Sequence, residues 1–421
     1  MRIHLFGAVL AFDYMLAGWL RQRGIDAHYF YNFKRNEADY PWWEDAAFDR
    51  EHPPEWCHFH PFRVPYLYNA PLATAGRAFV RDINRDADLI FAVGDGAFLA
   101  HHYTRPYTVW SCGFEVEEAV PSPIRWGALA GRLAGRREPV GLQRALNGGH
   151  VRRMLRNADS VISVMEFQVP TYLKWAGVTD NVQVLPMLYD CTRYRPMPDA
   201  DLIRRYAADD VVFFLPTRHS YGTWSTNDKG ADKVIAAFAR LVRGGASRAR
   251  LVLIEKGERV AESRAAVAAS GIEGQVEWLP PMPKATLKSY YSLPNVVVLD
   301  QFPNEDTMDP RLHAALRLKG SRGSIFAEAM CIGAPVVSSV GVEWMASHGG
   351  ATFVEDACTV DEIERALATM AAVPIADRAA RGNRNTQWAL RHLHWESTID
   401  GYIGHFESLI ARSRRARSRS A

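Results

Sequence analysis

Between Gly323 and Ser339 the chain reads GSIFAEAMCIGAPVVSS, with Glu328 as its only acid. A glycine and a serine before an apolar helical turn leave unpaired backbone N–H groups at a helix start, and such groups bind anions. Gly323 permits close approach, while Ser324 and Ile325 offer their N–H groups. Glu328, one turn further on, has two oxygens suited to the vicinal hydroxyls of a ribose. Upstream, the stretch that follows the apolar run VVFFLP holds Arg218 and Lys229. A guanidinium forks onto phosphate oxygens and an ammonium acts as a point charge. The set suits a diphosphate. Each residue also has a plainer explanation. An acid in a first helical turn is favoured by the dipole by about 0.3–1 kcal/mol, and loop cations are ordinarily solvated. A capping box does not account for Glu328, because the residue three before it is Ile325.

Positioning these groups requires strands that end beside them. Short apolar runs alternate with helical patterns, which predicts parallel sheets covered by helices. In the first half the expected strands are 3–6, 27–30, 88–93, 107–110, 160–164 and 182–185, with a helix over 11–23. The segment LPMLYDCTRYRPMPD (185–199) carries three prolines and breaks the rhythm. Alternation then restarts with VVFFLP, a helix over 229–242, and the strands RLVLIE, QVEWL, NVVVLD and APVVSS. The reading is α/β: two open, doubly wound sheets in tandem, one over residues 1–195 and one over 196–389. A helix over 390–412 and a disordered basic tail over 413–421 follow. In such sheets ligands lie beyond the carboxyl ends of the strands. That rule adds Gly257, after RLVLIE, to the candidates for binding. It also adds Asp95, between two glycines after a strand of the first half, where the plainer explanation is a turn aspartate.

Composition sets the outer bounds. The chain has 421 residues and a net charge of +3, so nucleic acid is not an expected partner. Five scattered cysteines without a C-x-x-C pair suggest neither a zinc site nor a disulfide framework. The apolar N-terminus is interrupted by Asp13 and reads as a strand and helix instead of a leader. No stretch has the length of a membrane span. Residues 123–156 hold eight arginines and one acid, interleaved with Trp126 and leucines. Together with the basic tail they suit an anionic membrane face or an anionic acceptor; a solvated arginine-rich helical pair is the ordinary alternative. The expected location is cytoplasmic, with peripheral contact at the inner face of the membrane. Neither DAD triplet ends a strand, so both read as turn or cap residues and no metal site is expected.

Several segments resemble the retaining, nucleotide-sugar-dependent glycosyltransferases of family 4, the glycosyl transferases group 1. They are ADSVISVMEFQVPTYLKWAG, VQVLPMLYDCTRYRP, KGADKVIAAFARL, VEWLPPMPKATLKSYYSLPNVVVLD, LHWESTIDGYIGHF and, most specifically, GSIFAEAMCIGAPVVSS. The resemblance implies a GT-B fold, in which two Rossmann-like domains face a cleft and the closing helix crosses back to the first. It implies a nucleotide-diphosphate sugar as donor substrate, no further cofactor, and retention at the anomeric carbon. The process implied is polysaccharide biosynthesis, with a glycan or lipid-linked acceptor. Arg218 and Lys229 map onto the family's phosphate cations, and Glu328 onto the second glutamate of its E-x7-E motif. The first glutamate of that motif falls on Gly320, and a common histidine falls near Cys112. Glu305, Asp306 or Asp309 is proposed to replace the missing acid; the alternative is that NEDTMDP is a solvated insertion. With Asp95 on the opposite wall, the expected catalytic set is Arg218, Lys229 and Asp95. The rival functions are a non-catalytic sugar-nucleotide or glycan binder and a nucleotide-sugar epimerase.

Overall fold

The computed structural model describes residues 1–7, 11–33, 40–45, 47–65, 71–111, 139–221, 228–302, 324–339, 351–353 and 358–420. These divide into two compact units: residues 1–187 with the closing stretch from Thr398, and Leu188–Ser397.

The first unit is built on β1 (Arg2–Phe6), α1 (Phe12–Gln22), β2 (Asp26–Asn32), β3 (Cys57–His60), α2 (Thr74–Asn84), β4 (Leu89–Val93), α3 (Asp95–Phe98), β5 (Tyr107–Ser111), α4 (Pro139–Asn157), β6 (Ser160–Ser163) and β7 (Val182–Val184). Among the described residues its sheet has the order β3-β2-β1-β4-β5-β6-β7. The strands pair in parallel, for instance Ile3 with Ala27 and with Leu89. β1, β4, β5 and β6 are almost wholly buried, which is why they appear in the sequence as unbroken apolar runs.

The second unit contains β8 (Val211–Leu215), α5 (Ala231–Arg243), β9 (Ala249–Ile254), α6 (Val260–Ser270), β10 (Val276–Leu279), α7 (Lys284–Tyr291), β11 (Val296–Leu299), α8 (Ser324–Ile332), β12 (Val336–Ser338), β13 (Thr352–Phe353), α9 (Val360–Ala372) and α10 (Ile375–His392). Its sheet order is β10-β9-β8-β11-β12-β13, again parallel. Val234, Ala237, Phe238 and Leu241 form the buried stripe of α5 and pack on Phe213, Leu251 and Leu253 of the sheet. Strand order reverses direction at β1 in one sheet and at β8 in the other, so each unit has a switch point at the carboxyl end of its first strand.

Three boundaries differ from the sequence reading. The units divide after Met187, earlier than residue 195. The cause is local: Tyr189 exchanges backbone hydrogen bonds with Leu393 and Trp395, which ties the segment after Met187 to the second unit. Residues 390–392 complete α10, and the last helix, α11, is Trp395–Ser420. The tail from 413, read as disordered from its composition, continues this helix to Ser420. Arginine and alanine are good helix formers, and Arg414 pairs with Asp88 at 2.8 Å. Ile399, Tyr402, Phe406 and Leu409 of α11 are buried. Tyr402 accepts a hydrogen bond from Trp110 (3.3 Å) and donates to the Pro186 carbonyl (2.9 Å).

Candidate functional site

In the second unit the loop after β8 is fixed by its main chain. His219 is fully buried; its N–H donates to the Lys256 carbonyl (2.6 Å) and its carbonyl accepts from Arg259 (3.0 Å). Its Nδ1 lies 2.8 Å from Ser263 Oγ. Burial pushes the imidazole down to about 4, so at neutral pH it is an uncharged pin between the loops after β8 and β9. Gly257 has φ +116°, and a Cβ there would run into the main chain of His219. The glycine is therefore required by a close chain crossing. Arg218, between buried Thr217 and His219, is exposed.

Lys229 returns to the same loop. Its N–H donates to the Ser220 carbonyl (2.8 Å), and its carbonyl accepts from Phe302 (3.2 Å). The next residue, Gly230, has φ +63°, and any Cβ would collide with the Phe302 carbonyl. Lys229 Nζ donates to Gln301 Oε1 at 2.6 Å. Next to Gln301, Asp300 is buried and accepts a hydrogen bond from Ser338 Oγ (2.9 Å). Burial raises the proton affinity of this carboxyl, and the Lys229 charge opposes the shift. Lys229 thus stands at the carboxyl ends of β8 and β11, where the switch-point rule places a ligand.

In a parallel sheet each crossover helix begins at the carboxyl edge. α7 and α8 bring Lys284 and Glu328 to that edge. Glu328 is 3% exposed, and its Oε1 lies 3.1 Å from Lys284 Nζ. The same ammonium donates to Tyr194 Oη at 3.2 Å. Ser324 and Ile325, at the start of α8, are half-buried. The sequence reading missed Lys284 and Tyr194. The signal available was a lysine directly after Pro283 at a helix start, where the dipole disfavours a cation.

Elsewhere the expected site residues are separate or undescribed. Asp95 belongs to the first unit, as the half-buried first residue of the single-turn helix α3. Gly323, Gly320, Cys112, Glu305, Asp306, Asp309 and residues 123–138 lie outside the described residues; of the arginine-rich stretch, residues 139–156 form most of α4. Among the described residues no helix is long and apolar enough to cross a membrane.

Residues 220–387 match the family model of glycosyl transferases group 1. The group 1 segment therefore includes Lys229, Gly257, Lys284 and the whole of α8. No curated protein matches the chain in sequence. Solved structures match over nearly its full length. A sucrose-phosphate synthase from Thermosynechococcus elongatus is 16% identical, with a TM-score of 0.64 over 98% of this chain and 100% of its own. HepE from Anabaena, in complex with UDP and glucose, is 16% identical, with a TM-score of 0.66 over 97% of this chain and 100% of its own. A UDP-forming trehalose-phosphate synthase from Burkholderia vietnamiensis is 14% identical, with a TM-score of 0.59 over 98% of both chains. At these identities the likeness is one of fold: two parallel-sheet, Rossmann-like domains, as in GT-B glycosyltransferases.

Proposed function

We propose that the protein is a glycosyltransferase that moves a sugar from a nucleotide-diphosphate sugar to a hydroxyl acceptor, with retention at the anomeric carbon and without a metal. The observation that carries this reading is the position of Lys229 and Glu328: both lie in the group 1 segment and at the carboxyl edge of one sheet. Breaking a sugar–diphosphate bond develops negative charge on the leaving oxygen, and fixed donors aimed at that charge are usually the largest catalytic contribution. Lys229 and Arg218, with the amides at the start of α8, supply those donors, and Glu328 accepts the ribose hydroxyls. The first nucleotide to test is uridine diphosphate, because HepE binds UDP. The acceptor is a glycan or a lipid-linked sugar, and the basic α4 region and α11 would draw the protein to an anionic membrane.

Titration with UDP, GDP and dTDP, followed by nucleotide release from the matching donor sugar, tests the proposal. One nucleotide should bind in the micromolar range, and Lys229→Ala should reduce turnover by about 100-fold or more. The absence of binding and release with every donor overturns it. A second reading, a non-catalytic sugar-nucleotide binder, is favoured by Gly320, which stands where the family pattern has its first glutamate. Tight binding without release, whatever acceptor is supplied, would select it.

A further inference from the structure

Two of the described cysteines meet inside the second unit. Cys191 Sγ lies 2.8 Å from Cys331 Sγ, although the residues are 140 positions apart. Non-bonded carbon atoms settle at about 3.5–4.0 Å, and sulfur is larger than carbon, so the pair is closer than two separate thiols rest. A covalent S–S bond is about 2.05 Å long, and closing it needs a movement of under about 1 Å. Each sulfur is carried on its own fixed support. Cys331 lies within α8, one turn beyond Glu328. Cys191 stands at a turn in the segment after Met187. Its N–H donates to His394 Nδ1 (3.3 Å), and the Asp190 carboxylate before it accepts from the N–H groups of Thr192 (3.0 Å) and Arg193 (3.2 Å). Cys191 and Cys331 are 5% and 1% exposed, and Thr192 and Arg193, next to Cys191, are exposed. Cys191 is thus the sulfur nearer to solvent.

We propose that Cys191 and Cys331 are a redox-sensitive pair that forms a reversible disulfide when the protein meets a peroxide, fastening the segment after Met187 to α8. Burial pushes the Cys331 thiol well above its ordinary value, and the Cys191 sulfur, Glu328 and Asp190 push in the same direction. The thiolate is the reactive form, so Cys331 is the second to react. Cys191 takes the first step. Its sulfur attacks hydrogen peroxide, the O–O bond breaks, an S–O bond forms, and the displaced hydroxide leaves as water with the thiol's proton. The Cys331 sulfur then attacks the Cys191 sulfur. The S–S bond forms, the S–O bond breaks, and the hydroxyl leaves as water with the Cys331 proton. Two electrons pass from the sulfurs to the peroxide, and a dithiol reductant returns them. The bond joins residues 140 positions apart, and in the chain-entropy account a cross-link over so long a loop removes much disorder from the unfolded chain. This inference does not depend on which ligand the second unit binds.

The test treats the full-length protein with hydrogen peroxide, unfolds it in N-ethylmaleimide to block the remaining thiols, and maps the digest by mass spectrometry. Oxidised wild type should yield a peptide linking Cys191 to Cys331, lose the maleimide label at both positions, and regain both labels after dithiothreitol. With dimedone present during oxidation, C331S should accumulate the sulfenic adduct at Cys191, whereas C191S should show little adduct at Cys331. The melting midpoint of oxidised wild type should rise by about 5 °C or more and fall back with dithiothreitol; C191S should show no rise. The mapping of wild type needs no variant, so the test holds even if a substituted protein fails to fold. The absence of the linked peptide at every peroxide concentration that leaves the protein folded overturns the proposal, as does linkage of either residue to a different cysteine. An equal rise in C191S overturns it too. More adduct at Cys331 in C191S than at Cys191 in C331S overturns the order of the two steps.

Discussion

The two sheets share strand order around their first strands, yet the polar groups gathered at them differ. In the first unit His4, His28, His58 and His60 are clustered on β1, β2 and β3, with His4 paired in register with His28. His28 Nδ1 lies 3.0 Å from His58 Nε2, and its Nε2 lies 3.0 Å from Asp26. Burial lowers His4 to about 4 and also lowers His58 and His60. His4 is neutral near pH 7, and its Nδ1 lies 2.7 Å from the Ile83 carbonyl. In the second unit two buried carboxyls lie near ammonium groups, Glu328 against Lys284 and Asp300 close to Lys229. One scaffold thus carries two uses of buried polarity. Imidazoles help to pack one sheet, whereas carboxyls near ammonium groups stand at the strand edge of the other.

The sharpest way to separate the units is to damage one backbone crossing. Gly230→Val forces a β-branched residue into left-handed backbone and against the Phe302 carbonyl. The expected cost is about 3 kcal/mol or more, the sum of the conformational and overpacking penalties. Hydrogen exchange should show protection lost in β8 and β11 and retained in β1 and β4. Uniform loss across both sheets would mean that the units do not unfold independently.

Acidification should act in the opposite direction. The folded-state value of His4, about 4, lies below its ordinary 6.5. The unfolded chain therefore binds the extra proton between these values. The stability linked to neutral His4 is complete above pH 6.5 and drains away as pH falls towards 4, by up to about 3 kcal/mol. His219 does the same in the second unit, but the first unit adds His58 and His60. Exchange in Ile3–Phe6 should rise before exchange in Val211–Leu215 as pH is lowered from 7 to 5. The reverse order would remove the contrast. The smallest expected effect is that of Tyr402→Phe, which loses the Pro186 and Trp110 hydrogen bonds. It should lower the stability of the first unit by about 1 kcal/mol in urea titration, with nucleotide affinity unchanged.

Most strands could be read from the sequence because parallel strands buried on both faces are apolar throughout. β3 was missed, since CHFH alternates histidine with aromatic and cysteine residues, and so was β13, which has only Thr352 and Phe353. The candidate site was legible where one local pattern holds it, as with the glycine-serine start of α8 and the lysine-glycine pair before α5. It was not legible where the chemistry depends on one element folding over another. Nothing local to Lys284 names Glu328 or Tyr194 as its partner, and nothing local to Gly257 shows the His219 main chain against it. The helical course of residues 413–420 was hidden for a related reason: composition alone does not show that α11 has already been anchored by Tyr402 and Phe406.

That anchoring bears on the order in which the molecule is made. The first unit lacks its closing helix until the residues from Thr398 onward have been made, whereas every residue of the second unit has been synthesised by Ser397. Domains generally fold as units during synthesis, the N-terminal one first. Here the second unit is synthesised between the two parts of the first, and the first unit's apolar surface against Ile399, Tyr402, Phe406 and Leu409 stays uncovered until the second has been made.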